Sequence, residues 1–169
     1  MNAARMLFGT LALALGCGKA SAPPAKRDTA ATTAPVVATA DSTCPATGLW
    51  AECSVLYRLE RAGLAPRVDS SATPAEKTLN GRAAVYKIGL SSSLEVYLYP
   101  DSTARVADAK KLDRTQLAAP GVPQTIKRER LVIENSNLIG LFSSLNEHQR
   151  ERVGDALLAG PPQPSTSQP

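Results

Sequence analysis

Two apolar hairpins, each followed by an amphipathic helix, limit this chain of 169 residues to a small sheet packed against helices. Alternating apolar and polar residues predict four strands, over 83–90, 94–99, 130–134 and 138–142. Helices are predicted over 49–62, over 101–112 and from Ser144 onward. Asp101 and Ser144 are the expected N-caps, because short polar side chains accept hydrogen bonds from the amides of a first helical turn.

The order of these elements predicts a single α+β domain over residues 44–159. We expect a small antiparallel four-stranded sheet with helices packed on one face, in the order α-ββα-ββα. The two ββα units also match in sequence, since Tyr97–Pro100 aligns with Gly140–Ser143 and Arg105–Ala109 aligns with Arg152–Ala156. Either an internal ββα duplication or the chance similarity of two amphipathic helices accounts for this match.

The N-terminal residues have the composition of an export signal. Arg5 precedes an apolar run over residues 7–15, which is too short to span about 30 Å of hydrocarbon but fits the core of a signal peptide. The run ends in the sequence Ala14-Leu15-Gly16-Cys17. This segment resembles the lipobox signal of bacterial lipoproteins.

The resemblance covers residues 1–17 and says nothing of the domain that follows. It implies that residues 1–16 are removed as a signal peptide, and that Cys17 carries thioether-linked diacylglycerol and an amide-linked acyl chain. The alternatives are an ordinary cleaved signal, in which Cys17 has no role, and an uncleaved anchor. Three acyl chains would anchor the protein firmly, because each buried CH₂ group contributes roughly 0.8 kcal/mol.

The resemblance also implies a location in the cell envelope, with the domain outside the cytoplasm. Gly18 follows the cysteine, at the position where Asp commonly marks retention in the inner membrane of enterobacteria. The inner leaflet of the outer membrane is therefore favoured where an outer membrane exists.

Two segments are too poor in large apolar side chains to fold. Residues 17–43 are rich in Ala, Thr, Pro and Ser, and such a composition cannot bury enough surface to offset the entropy of ordering. We expect them to form a tether behind the lipidated cysteine. Residues 160–169 are rich in Pro and Ser, and we expect a disordered tail.

The chain has three cysteines. Lipidation of Cys17 would leave Cys44 and Cys53 to form a disulfide in an oxidising compartment. In one straight helix these two residues would be separated by about 13.5 Å of rise, whereas bridged Cα atoms lie roughly 4.4–6.8 Å apart. The first helix therefore has to begin after Cys44, and Thr47 is its expected cap, which would place Cys53 in the second turn.

Two surfaces are candidates for binding a partner. One is a set of basic residues in a region whose acids are Asp113 and Glu129, namely Lys110, Lys111, Arg114, Lys127, Arg128 and Arg130. It favours an anionic lipid surface or an acidic envelope protein over nucleic acid, since no base-stacking motif accompanies it. The alternative is an ordinary solubilising face.

The other candidate surface is formed by Tyr97 and Tyr99, which alternation places on one sheet face, opposite Leu94, Val96 and Leu98. Exposed tyrosines are good interface anchors. The alternative is that Trp50 or the first helix covers them.

The sequence contains no recognisable catalytic set. Its single histidine, His148, is predicted on the outward side of the last helix, and no nucleophile motif accompanies it. Glu147, Glu151 and Asp155 recur every four residues, but interleaved arginines favour a solvated helix face over a metal site. We therefore expect neither a metal nor a cofactor.

These observations predict a membrane-anchored envelope lipoprotein with a non-catalytic binding or interaction domain. One alternative is a structural accessory of an envelope complex. The other is a hydrolase-type enzyme with a carboxylate-based site.

Overall fold

The computed structural model describes residues 44–164, which form a six-stranded mixed sheet with three α-helices. The strands are Arg67–Val68 (β1), Arg82–Ile88 (β2), Ser92–Leu98 (β3), Leu117–Ala118 (β4), Arg130–Asn135 (β5) and Leu138–Ser143 (β6). The helices are Glu52–Arg61 (α1), Ser102–Ala109 (α2) and Glu147–Leu158 (α3), with a short 3₁₀ helix at Arg114–Gln116. The strand order is β1-β2-β3-β6-β5-β4.

The prediction of a four-stranded antiparallel sheet is wrong. The four long strands do pair antiparallel as β2-β3-β6-β5, but a two-residue strand is added at each edge. β1 pairs antiparallel with β2, and β4 pairs parallel with β5, which makes the sheet mixed. Strands of two residues are too short to carry an alternating pattern, so tertiary contacts alone define them.

The prediction that the helices share one face of the sheet is also wrong. α1 and α3 cover one face, where Leu59 and Leu157 belong to the same core cluster as Phe142. α2 covers the opposite face, where Ala109 packs in a second cluster with Ile139. The sequence of β6, LIGLFS, is apolar at five successive positions, so both faces of this central strand need cover.

Of the two explanations for the sequence match, an internal ββα duplication has no counterpart in this arrangement. β3 and β6 are antiparallel neighbours at the centre of the sheet. A two-fold rotation that exchanges them and also exchanges β2 with β5 must run perpendicular to the sheet. Such a rotation keeps the following helices on one face, whereas α2 and α3 lie on opposite faces.

The helix caps differ in part from those predicted. Asp101 caps α2 as expected, since its side chain accepts from the amide of Ala104 at 2.8 Å. α3 is capped by Asn146 instead of Ser144, because the Asn146 side chain accepts from the amide of Gln149. α1 begins after Ala51 instead of after Thr47, with the Ser54 hydroxyl closing its first turn.

The predicted disulfide between Cys44 and Cys53 is confirmed, with Cα atoms 5.7 Å apart. Because α1 starts at Glu52, Cys53 lies in its first turn instead of its second. Residues 160–164, which the sequence assigns to the tail, contact this region, since the Gly48 amide donates to the Pro162 carbonyl at 3.1 Å. Both ends of the described chain therefore lie close together. The predicted signal peptide, Cys17, the tether and residues 165–169 lie outside the described residues.

We expect the Cys44→Ser/Cys53→Ser variant to lose about 2–4 kcal/mol of unfolding free energy, because a disulfide restricts the unfolded chain. Urea denaturation of the oxidised protein and the variant measures this difference. The wild type in reductant should match the variant. Equal midpoints for all three samples would contradict a stabilising role for the disulfide.

Candidate functional site

A cleft of about 810 Å³ lies at the end of the sheet where β3 begins and β6 ends. Its walls are the β2–β3 turn, the segment 124–130 that leads into β5, and the segment 143–149 that joins β6 to α3. We call it the basic cleft, after Lys127, Arg128 and Arg130, which line it.

The basic cleft lies at the opposite end of the sheet from the two ends of the described chain. The side-chain oxygen of Asn137, in the turn before β6, accepts from the amide of Trp50 at 2.7 Å and so places the start of the domain there. β3 runs from the cleft end to this end over Ser92–Leu98. At about 3.3 Å per residue, the two ends are separated by roughly 20 Å.

A β-turn presents two of the cations. The Glu129 amide donates to the Ile126 carbonyl at 3.0 Å, which makes Lys127 and Arg128 the two central residues of the turn. Both side chains are exposed. This geometry brings two positive charges to the rim of the cleft next to each other.

The carboxylate of Glu129 is held inside the same turn. It accepts from the amide of Thr125 at 2.5 Å and from the Thr125 hydroxyl at 3.1 Å. The backbone bond from Thr125 is the largest cause that lowers the pKa of Glu129. The buried guanidinium of Arg150 in α3 donates to the Glu129 carbonyl at 3.2 Å, which fixes the turn to the helix.

The opposite wall carries hydroxyl and amide groups. Ser92 and Ser144 lie within hydrogen-bond distance of the Gln149 side-chain oxygen, at 2.8 and 3.1 Å. Ser144 also accepts from the amide of Asn146 at 3.1 Å. These bonds join the start of β3 to the start of α3 and fix the shape of the wall.

Arg130 lies at the floor of the cleft, and its guanidinium is ion-paired with two carboxylates that do not line the cleft. Its guanidinium is 3.1 Å from a carboxylate oxygen of Glu76 and 3.6 Å from one of Glu95. The Thr78 hydroxyl is the largest cause that lowers the pKa of Glu76, with Arg130 contributing. Since two carboxylates share this guanidinium, the charge free to meet a ligand comes chiefly from Lys127 and Arg128.

The tyrosine surface proposed from the sequence is not exposed. Tyr97 and Tyr99 are 1% and 7% exposed, so the alternative that they are covered is the one observed. The cover is α2 and the segment before β2, not Trp50 or α1. Their hydroxyls donate to Glu95 and Asp108, both at 2.8 Å, and burial raises the pKa of each tyrosine.

The six basic residues proposed from the sequence do not form one surface. Lys127, Arg128 and Arg130 line the basic cleft, but the other three do not. Lys111 pairs with Asp108, and Arg114 lies 2.7 Å from Glu134. Lys110 is exposed outside the cleft.

Sequence reasoning missed the hydroxyl and amide wall. Ser92 lies 52 residues before Ser144 and 57 before Gln149, and only the pairing of β3 with β6 brings it next to them. The signals at those positions indicated a turn and a helix start, which concern local structure alone. No spacing pattern in the chain would have assigned them to one site.

The remaining candidates from the sequence lie in α3. His148 is exposed, with its ring 3.7 Å from Glu151. Within residues 44–164, no group of three or more potential ligands could hold a metal ion, and no helix is long and apolar enough to cross a membrane.

Comparison of the chain with protein-family models, with curated proteins and with solved structures finds no match.

We expect the domain to lose stability as the pH falls below about 4. Several carboxyl groups have lowered pKa values in the folded state, including Asp69 at about 2, where the Ser71 hydroxyl is the largest cause. For Asp108, hydrogen bonds from Lys111, Asn80 and Tyr99 outweigh the effect of burial. The stabilisation by these carboxylates is fully present above their unfolded pKa values of 3.8–4.5. It is lost as the pH falls through their lower pKa values in the folded state.

Urea denaturation at pH 7 and pH 3 measures this loss. Asp108→Asn should be less stable at pH 7 and show a smaller difference between the two pH values. A free energy of unfolding that does not change between them would contradict the stabilising role of these carboxylates.

Proposed function

We propose that this protein is a lipid-anchored protein of the bacterial cell envelope whose domain binds a ligand in the basic cleft and does not transform it. The anchor is inferred from the lipobox-like residues that end at Cys17. The disulfide between Cys44 and Cys53 supports a domain outside the cytoplasm, because such bonds persist in oxidising compartments.

The observation that carries this proposal is the convergence of cations and hydrogen-bonding side chains in one open cleft. Ligand sites typically have volumes of roughly 300–1,000 Å³ and a few placed polar groups. The basic cleft, at about 810 Å³, has this size and places Lys127 and Arg128 opposite Ser144 and Asn146.

The position of the cleft also supports the proposal. Both ends of the described chain lie at the other end of the sheet, where the Gly48 amide donates to Pro162. An anchor that precedes residue 44 would hold the domain from that end. The chain that leads to the anchor would then leave the domain from the end opposite the cleft, so the cleft stays open to an envelope component.

Binding is favoured over hydrolysis because, among the described residues, Glu129 is the one carboxylate that lines the cleft. Glu76 and Glu95 are both ion-paired with Arg130, and neither lines the cleft. General acid–base catalysis by two carboxylates needs both of them within reach of the substrate.

Photo-crosslinking in intact cells tests the proposal. We place a photoreactive amino acid at Leu145, on the rim of the cleft, or at Thr103, which is exposed at the opposite end of the sheet. We expect an adduct in the membrane fraction from position 145 but not from position 103. The adduct should disappear in Lys127→Ala/Arg128→Ala.

Two results would contradict the proposed function. One is equal adduct formation from positions 103 and 145, which would indicate nonspecific contacts. The other is an adduct from position 145 that survives removal of both cations.

A further inference from the structure

The side chains that the basic cleft offers to a ligand are cations and hydrogen-bond donors. Lys127 and Arg128 carry positive charges without any acceptor group. The side-chain oxygen of Asn146 already accepts from the Gln149 amide, so the group that Asn146 can offer is its NH₂. A ligand that satisfies such a site has to supply the acceptors.

Three acceptors in the cleft are already engaged, namely one carboxylate oxygen of Glu129 and the side-chain oxygens of Gln149 and Asn146. The carboxylate of Glu129 accepts from both the amide and the hydroxyl of Thr125. The Gln149 side-chain oxygen accepts from Ser92 and Ser144. A cationic ligand would therefore meet two positive charges at the rim and a single carboxylate, that of Glu129, one oxygen of which already accepts from Thr125.

The volume of the cleft exceeds the needs of a single small anion. Liquid water occupies about 30 Å³ per molecule, so a cleft of about 810 Å³ holds a group of many atoms. Leu145 adds an apolar side chain to the rim and is 76% exposed. The site thus combines two cations and the NH₂ group of Asn146 with apolar surface for an organic portion of the ligand.

Taken together, the geometry points to a phosphate ester as the ligand of the basic cleft, with Lys127 and Arg128 binding the phosphate oxygens and Leu145 contacting the organic group. This inference rests on the proposed function and adds the ligand's chemical class. A phosphate ester reaches the envelope either as a lipid headgroup or as a soluble molecule, and the chemistry in the cleft is the same for both.

NMR titration tests the ligand class in the full chain carrying Cys17→Ser, which keeps every described residue unchanged. The first arm adds sn-glycerol 3-phosphate, with glycerol as the uncharged control. We expect saturable shifts of the amides of Ser144 and Asn146, on the wall opposite the cations. Glycerol should leave them unchanged.

The second arm measures cosedimentation with vesicles of phosphatidylglycerol or of zwitterionic phosphatidylcholine. Binding to the phosphatidylglycerol vesicles in preference to the phosphatidylcholine vesicles identifies a lipid headgroup as the ligand. Binding of glycerol 3-phosphate alone identifies a soluble ligand. Absence of binding in both arms would overturn the inference.

Two double variants with the same change of net charge separate the cleft from general electrostatics. Lys127→Ala/Arg128→Ala removes both rim cations, whereas Lys77→Ala/Lys110→Ala removes two exposed cations that do not line the cleft. A hydrogen bond to a charged group contributes about 1.5–3 kcal/mol. We therefore expect the dissociation constant to rise about tenfold or more in the first variant and less than about twofold in the second.

Equal weakening in both double variants would overturn the inference, because it would show attraction by net charge alone. The crosslinking experiment separates this failure from that of the proposed function. Loss of phosphate-ester binding with cation-dependent crosslinking intact would refute only the ligand class. Binding of the ester without crosslinking in cells would refute the proposed function and leave the site in place.

Discussion

Replacing Asn137 with Ala lowers the free energy of unfolding by about 3 kcal/mol, because buried backbone groups lose their partners. The Asn137 side chain is buried and accepts from the Trp50 amide at 2.7 Å. Its NH₂ group donates to the carbonyls of Trp50 and Tyr99, at 3.2 and 2.8 Å. Alanine satisfies none of these groups, and the start of the domain loses its attachment to the sheet.

Ser136→Ala provides the control for this prediction in the same turn. The Ser136 hydroxyl makes a single weak contact, at 3.4 Å, to the Gly48 carbonyl. We expect its replacement to change the free energy of unfolding by less than about 0.5 kcal/mol. Equal stability of the two variants in urea denaturation would contradict the role assigned to Asn137.

Arg130→Met is expected to lower the free energy of unfolding by about 3 kcal/mol at neutral pH, because it leaves two partly buried carboxylates without their cation. Glu76 and Glu95 both lie within 3.6 Å of the Arg130 guanidinium. The loss should shrink as the pH falls towards 4, because the folded variant takes up protons more readily once the positive charge is gone. Urea denaturation at the two pH values measures both effects.

Two further variants sharpen this test. Glu76→Gln combined with Arg130→Met should recover part of the lost stability, because it removes one of the two repelling charges. Arg128→Met, on the exposed turn, should have little effect on stability. A pH-independent loss in Arg130→Met would indicate missing packing and contradict the electrostatic explanation.

The long strands could be predicted from the sequence because their patterns are local. In β3, Leu94, Val96 and Leu98 alternate with Glu95 and Tyr97, and each set does face its own side of the sheet. The edge strands could not be predicted, since β1 and β4 have only two residues each.

The faces of the sheet that the helices cover could not be predicted, because the apolar sequence of β6 fits two arrangements. The apolar sequence of β6 is compatible with a strand covered on one face or on both. Tyr97 and Tyr99 were correctly assigned to one face, but α2 covers that face and turns a candidate surface into core.

Only the cations of the candidate site could be predicted from the sequence. Lys127, Arg128 and Arg130 were evident as a basic run, whereas their separation from Lys110, Lys111 and Arg114 depends on the path of the chain between α2 and β5. The turn that presents Lys127 and Arg128 is closed by Glu129 and held by Arg150. Both contacts are made by backbone groups of Glu129, its amide and its carbonyl, which compositional patterns do not encode.

Intact-mass spectrometry of the protein extracted from the cell envelope most directly tests the proposal that the domain is lipid-anchored there. We expect a mature chain that begins at Cys17, carries acyl groups on that residue and retains the disulfide between Cys44 and Cys53. A soluble chain that still begins at Met1 and has all three thiols free would contradict the proposed envelope function.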